Sequence, residues 1–288
     1  MKHYRRFLAL FLVYGLATPC FSQRSGADVD FGFHLFEMRK FDEVLLLFED
    51  VKSDHTPTLD SIHHILGMTH YYRKELDLSA RHLAMVSPSS AFYDKSVFFG
   101  ALDHAHLGEY AQARTLLDNY WTTTPNAKYE ELLTVKFAGL SLLERDLAAF
   151  DRYSQQFKFE QFHYVNSQND LMGVRMALGD FRQKSPVVAG LLSAVVPGAG
   201  KIYAGQLGEG IAAFLTVGSL VAITAENWVK NGLLDWKTIT FGTLSTIFYI
   251  GNIAGSAISV NVYRNQFNDK QNNTILLGIH LPVRTVFN

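Results

Sequence analysis

Six histidines in the first half of the chain carry the most obvious chemical reach. His63, His64, His70, His82, His104 and His106, with Asp103 beside His104, offer imidazoles that could ligate a metal or act as general bases. Their spacing argues against both uses. His63 and His70 are seven residues apart and share a helical face, whereas His104 and His106 project apart on a helix. No His-Glu-x-x-His or comparable ligand set occurs. Gly200-Lys201 imitates the end of a phosphate-binding loop, yet Val195 stands where such a loop needs glycine. Ile202 stands where Ser or Thr would reach magnesium. Gly198-x-Gly200 lacks the preceding strand and the third glycine of a dinucleotide site, and Gly-x-Ser-x-Gly is missing. Cys20 is the single cysteine, which excludes a disulfide framework and a Cys-based zinc site. The expectation is a protein without catalytic residues, metal or cofactor. A hydrolase built on the repeat histidines is the competing reading, and it would require metal in the purified protein.

Charge narrows the partners. Across 288 residues, 26 Lys and Arg oppose 27 Asp and Glu, so the formal net charge is −1 and no nucleic-acid binder is expected. Hydrophobic residues reach 48% and charged residues only 18%, a balance that predicts apolar surface facing lipid. The N-terminus reads as a secretory signal peptide over residues 1–22. Lys2, Arg5 and Arg6 precede an apolar run from Phe7 to Leu16, then Pro19 and the small residues Cys20 and Ser22. That run is about half of a membrane span.

Residues 25–157 repeat with a period near 34. Gly108-Glu109-Tyr110-Ala111-Gln112-Ala113 reads as a turn entering a helix, with Leu117 one turn on and Pro125-Asn126 closing the unit. One unit earlier, Leu66-Gly67 is followed by Leu76, Ser79, Leu83 and Val86. Before that, Phe31-Gly32 and Leu35 precede Phe41, Val44, Phe48 and Val51. A degraded fourth copy starts at Phe137-Ala138 and continues through Asp146-Leu147 to Phe150. A small residue in the first helix lets the second approach, and stacked units bury a continuous core. The pattern resembles tetratricopeptide repeats, although the usual early Trp is missing and only Ala113 supplies the second-helix alanine. The resemblance implies a helical-hairpin solenoid whose first helices line a concave face that binds a protein or peptide. Carried over by position, that face takes Phe33, Phe36 and Glu37 from the first unit. It takes His64, Met68, Tyr71 and Tyr72 from the second, and Lys95, Phe98, Leu102 and His106 from the third. The set is aromatic with few charges, which suits a hydrophobic or mixed ligand, and core positions are the alternative for each.

After a linker over 158–184, composition turns apolar through residues 185–265. Pro186 to Gly200 is an uncharged run of 15 residues, about 22 Å as a helix and short of a bilayer core of about 30 Å. Pro197-Gly198-Ala199-Gly200 breaks it. Leu207 to Ala225 and Thr238 to Val260 give runs of 19 and 23 residues, with Trp228 and Trp236 bracketing the connection. Gly251 and Gly255, four apart, predict a close helix contact, with Asn252 bonding across it, and leave room for a homo-oligomer. The stretch Pro197-Gly198-Ala199-Gly200-Lys201-Ile202-Tyr203-Ala204-Gly205, followed by Gly208-Glu209-Gly210, predicts a tight reversal anchored by Tyr203. It resembles bacterial TM2-type membrane hairpins, with a glycine-to-tyrosine spacing about one residue shorter. The closest likeness is to envelope proteins that join a tetratricopeptide region to such a domain. That resemblance implies membrane residence and a link to membrane-protein biogenesis.

The expected fold is therefore all-α: a tetratricopeptide-like solenoid, then a membrane hairpin of two to three hydrophobic segments, then a flexible tail over 266–288. The expected protein is a scaffold in the bacterial cell envelope, integral to the membrane, with an exported, periplasmic repeat domain that holds a protein or peptide near the bilayer. An accessory factor for membrane-protein insertion or transport, working through residues 184–265, is the alternative. The side of the C-terminus turns on the first apolar run: re-entrant, it puts the tail with the repeats, and spanning, it puts the tail opposite.

Overall fold

A computed structural model describes residues 26–49, 56–124 and 129–287. Among the described residues the chain is all-helical, with thirteen helices and no strand. The signal-peptide region, Cys20, Val51 and the Pro125-Asn126 turn lie outside them. The chain divides into two compact units, Met1–Leu133 with Phe287–Asn288, and Thr134–Val286. The boundary falls within the span expected to be one repeat domain.

The first unit contains α1 (Gly26–Glu37), α2 (Phe41–Leu47), α3 (Thr56–Tyr72), α4 (Leu76–Ala84), α5 (Tyr93–His106), α6 (Tyr110–Thr123) and the first turn of α7 (Glu130–Leu143). Two features recur at the spacing that the sequence predicts. A glycine of each first helix faces a large apolar residue sixteen positions on. A Cβ at Gly32 would lie 2.5 Å from the Phe48 ring, one at Gly67 2.6 Å from Leu83, and one at Gly100 3.3 Å from Leu116. At Gly32 and Gly67 a methyl group would force the paired helix to shift, and at Gly100 Leu116 would have to give by a few tenths of an ångström.

The second recurring feature is the turn between the helices. Arg39, Lys74 and Gly108 take left-handed backbone, with φ of 58, 64 and 80°. In each turn one amide bonds three residues back and the next bonds five back. Lys74 donates to the Tyr71 carbonyl and Glu75 to that of His70, and Gly108 and Glu109 do the same to Ala105 and His104. This double closure satisfies the last carbonyls of the first helix and reverses the chain at a fixed angle. His70 and His104, at equivalent places, bond Glu75 and Glu109 at 2.7 Å. The next copy of the turn is centred on Arg145, with φ of 62°, between α7 and α8 (Leu147–Ser154) in the second unit.

Helix α3 packs against α1, α2, α4 and α5. With neighbours on several sides it buries Ile62 and every residue from His64 to His70. Val29, Leu35, Val44, Phe48, Ile62, Ile65 and Leu66 form the core beside it.

The second unit continues α7 from Thr134 and adds α8, α9 (Phe162–Asp180), α10 (Pro186–Val195), α11 (Ala199–Ala204), α12 (Leu207–Asn231) and most of α13 (Trp236–Phe287). The segment expected to be a linker is largely α9. It buries Leu171 and Val174 and joins α8 through the Arg175 guanidinium, which donates to both Asp151 carboxylate oxygens at 2.8 and 2.9 Å. The expected flexible tail is also corrected. Helix α13 runs unbroken for 52 residues, and Gln271, Ile275, Gly278, Ile279, Pro282 and Val283 are buried at intervals of three and four. Ile279 Cγ2 lies 2.2 Å from the Cβ position of Gly139, Leu171 packs beside Gly278, and Arg145 donates to Asn268 and Asn272. Helices α12 and α13 are each long and apolar enough to cross a membrane, and within α12 only 11% of the most apolar window is buried.

Burial in the first unit has a measurable consequence at His64, whose Nδ1 is 2.9 Å from Ser96 Oγ and whose ring stacks on Phe92. Desolvation, with the Lys95 charge second, pushes its pKa from 6.5 down to about 3, so the fold holds it neutral. The unfolded chain takes up this proton below about pH 6.5 and the folded chain does not. Stability from this group is complete above pH 6.5 and drains as pH falls towards 3, by about 1.4 kcal/mol per pH unit at full effect. Half-buried His82, lowered to about 4 by desolvation and then by His63 and His70, acts in the same direction. In His64→Gln the fall of unfolding free energy between pH 6 and 4 should be shallower by about 1 kcal/mol per unit. Urea titrations followed by near-UV circular dichroism measure it, and parallel slopes would refute the assignment.

Candidate functional site

Two sets of residues were singled out by sequence, and they meet different fates. On the first unit, Met68, Phe98 and Leu102 are at most 1% exposed and His64 only 4%, so these four belong to the core and not to an open face. The repeat frame puts them on the concave face of the first helices, but packing around α3 and α5 covers that face. Glu37 and His106 are exposed, while Phe33, Phe36, Tyr71 and Lys95 are half-buried and Tyr72 is 38% exposed. The aromatic members do come together. Phe36, Phe41 and Tyr72 meet at 5.7–5.8 Å between centroids, Tyr71 links Tyr72 to Phe99 at 5.5 and 4.9 Å, and Phe33 stacks on Phe92 at 5.4 Å. Lys95 Nζ lies 5.9 Å from the Phe99 centroid, a cation at the rim of this row. Phe41, Phe92 and Phe99 were outside the sequence-derived set, and the i to i+5 step from Phe36 to Phe41 across the turn was the available signal.

The histidines do not assemble into a metal centre among the described residues. His63 and His82 face each other with Nδ1 atoms 3.2 Å apart, and His70 stacks on His82 at 5.4 Å. One imidazole donating to the other accounts for the first contact.

In the second unit the glycine-rich stretch makes a hairpin of α10 and α11 whose ends meet. The Ser185 amide donates to Tyr203 Oη at 3.2 Å, and Lys184 Nζ sits 4.5 Å from the Tyr263 ring and 5.9 Å from that of Tyr203. Ser185 also caps α10 through the Val188 amide, with Pro186 at the first helical position, so both the start and the reversal are written locally. At the tip Gly198 has φ of 84°, and a Cβ there would sit 2.0 Å from the Gly210 carbonyl oxygen. At Gly200 it would sit 1.9 Å from the Ala189 oxygen, and at Gly210 2.4 Å from Ile202. Pro197 is half-buried and Gly205, with φ of 99°, ends α11.

Polar groups line the inside of this turn. The Gly200 amide donates to Ser193 Oγ at 2.9 Å, Ser193 and Ser256 hydroxyls are 2.7 Å apart, and Ser256 donates to the Asn252 carbonyl at 2.8 Å. Tyr249 Oη donates to the Ala194 carbonyl at 2.5 Å. Irregular backbone in an apolar setting is tolerated where such partners exist. Sequence reasoning missed Ser193, Ser256 and Tyr249, although a serine in a run of aliphatic residues was a visible cue. Among the described residues the expected close helix contact at Gly251 and Gly255 is not made. A Cβ at Gly251 meets nothing within 4 Å, and at Gly255 only Lys201 Cε at 3.8 Å. Asn252, 6% exposed, has neither amide atom hydrogen-bonded.

The chain matches no protein-family profile, and comparison with curated proteins and with solved structures gives no match.

The glycines separate into those the fold needs and those it does not. Gly200→Ala should disrupt the hairpin by about 3 kcal/mol or more, because backbone carbonyl blocks the methyl group. Gly208→Ala and Gly251→Ala, which meet nothing, should stay within about 0.5 kcal/mol. Thermal unfolding of detergent-purified variants checks the contrast, and a stable Gly200→Ala would remove the packing argument.

Proposed function

We propose that this chain is a non-enzymatic, membrane-anchored envelope scaffold. Its tetratricopeptide-like hairpins hold a protein or peptide partner, and residues 185–265 fix them to a lipid bilayer. The observation that carries the membrane part is the surface of α12, which leaves Ile211, Phe214, Leu215 and Val221 exposed along a helix of 25 residues. Such a surface is unfavourable in water and neutral in hydrocarbon. The ten-residue α10 is about 15 Å long, too short to cross, and its paired ends support a re-entrant hairpin. On this reading α12 crosses once and α13 returns. The segments before Lys184 and after Val262 then share one side of the membrane. Helices α8 and α9 and the end of α13 pack together within the second unit, which supports the same conclusion.

The partner face is assigned to the aromatic row of Phe33, Phe36, Tyr71 and Tyr72 with Lys95 beside it, suited to an apolar or mixed peptide. Tethering makes capture a nearly two-dimensional encounter and so raises the effective concentration of partner. The periplasmic location of this domain follows from the signal-peptide reading.

A second reading, an accessory role in membrane-protein insertion or transport through residues 184–265, is favoured by the unpartnered Asn252 at the centre of the apolar region. Expressing the halves separately discriminates, since under this second reading the membrane half alone rescues a deletion.

The anchor is tested by ultracentrifugation. The full chain should pellet with membranes, resist carbonate and be released only by detergent, and recovery in the supernatant without detergent would overturn the proposal. In the Tyr71→Ala, Tyr72→Ala double variant, partner recovered by pull-down and mass spectrometry should drop at least tenfold while helicity is kept. Unchanged recovery would refute the groove.

A further inference from the structure

A cavity of about 520 Å³ opens beside the hairpin, between α11, α12 and α13. Its walls are unlike at the two ends. Lys201 and Glu209 stand at one, with Val217, Ile247 and Phe248 along the rest, and Gly251 and Asn252 complete the side formed by α13. Three observations make this more than a gap between helices. Lys201 Nζ and Glu209 Oε2 are 3.6 Å apart, close enough to attract and too far for a good hydrogen bond, so both retain bonding capacity. Asn252 is 6% exposed, with a donor and an acceptor both unused, a state that a protein interior rarely tolerates. Lys201 Cε lies 3.8 Å from the Cβ position of Gly255, three residues along α13 from Asn252. The Asn252 backbone therefore lies about 4.5 Å along the helix axis from the Gly255 position that Lys201 approaches.

The geometry points to a binding site for one zwitterionic glycerophospholipid of the bilayer, with its phosphate on Lys201, its ammonium on Glu209, an ester group at Asn252 and an acyl chain along Val217 and Phe248. The inference rests on the membrane reading above. Charge selects the headgroup: the site holds one positive and one negative group, so a zwitterion satisfies both, whereas an anionic lipid leaves Glu209 opposed. Position selects the molecule as a whole. The charged pair sits near the start of α12, at the opposite end from Trp228 and Trp236, where headgroups of one leaflet lie. The cavity volume is in the usual range for a site that takes one small amphipathic group.

The test uses the full chain, reconstituted in vesicles of equal parts palmitoyl-oleoyl phosphatidylethanolamine and phosphatidylglycerol, then released in mild detergent for native mass spectrometry. A single phosphatidylethanolamine adduct should be retained at least fivefold over phosphatidylglycerol. Gly251→Leu places a bulky side chain at the cavity wall, at a position where an added Cβ meets no atom within 4 Å, and the thermal midpoint reports whether the fold is kept. The variant should lower the adduct at least tenfold at an unchanged thermal midpoint in detergent. Glu209→Gln should reduce the preference between the two lipids to about twofold or less. Equal retention by Gly251→Leu, no adduct on the wild-type chain, or no preference between the lipids would each overturn the site. A dimer lost in Gly251→Leu, with no lipid adduct, would assign the cavity to a second copy instead and also overturn it. Carbonate-resistant pelleting in the same preparation separates failure of this site from failure of the membrane reading.

Discussion

Backbone lying directly on backbone, with no side chain between, is the constraint from which the course of the second unit follows. Gly200 rests on the Ala189 carbonyl and Gly198 on that of Gly210, at separations that a single methyl group would abolish. Because those contacts are available, ten residues of α10 can go in and six of α11 can come back within one turn. The Gly200 amide and the Ala194 carbonyl near the break are met by Ser193 and Tyr249, and Ser256 bonds Ser193 in turn. The direction of α12, and with it the return of α13, is fixed by that reversal.

The first unit solves a similar problem by repetition. Each hairpin places a glycine under a Phe or Leu sixteen residues later, and each reverses through one left-handed residue. Two of the unit's three turn positions, Arg39 and Lys74, are not glycine, which costs about 1–2 kcal/mol of backbone strain per position. The two capping hydrogen bonds that close each turn offset that strain.

The sequence made the helical class legible because its apolar residues recur at intervals of three and four, and because Gly32 and Gly67 stand at one position of successive units. The hairpin was legible in Pro197 to Gly205 for the same reason: its glycines have no other use. What escaped was the environment of each helix. Met68, Phe98 and Leu102 look like groove positions when one hairpin is considered alone, and they become core once α3 and α5 have neighbours on both sides. The end of α13 escaped because Asn268 to Asn273 is polar and Pro282 follows, yet Ile275, Ile279 and Val283 keep a strict four-residue step. Polarity there reflects contacts such as Arg145 with Asn268 and Asn272, and not solvation of a loose tail. Asn252 was noticed for its depth, but its unsatisfied state depends on which atoms surround it, and no linear pattern encodes that.

Helix α13 runs from Trp236 to Phe287, about 78 Å in length, and its final third packs on α7, on α9 and on Arg145 of the turn between α7 and α8. Its one internal proline, Pro282, lies within that final third, so the stretch before it has no proline at which to bend. In the proposed setting its first turns tilt to match the local thickness of the hydrocarbon layer. Any such tilt also moves the end of α13 that packs on Gly139 and Leu171.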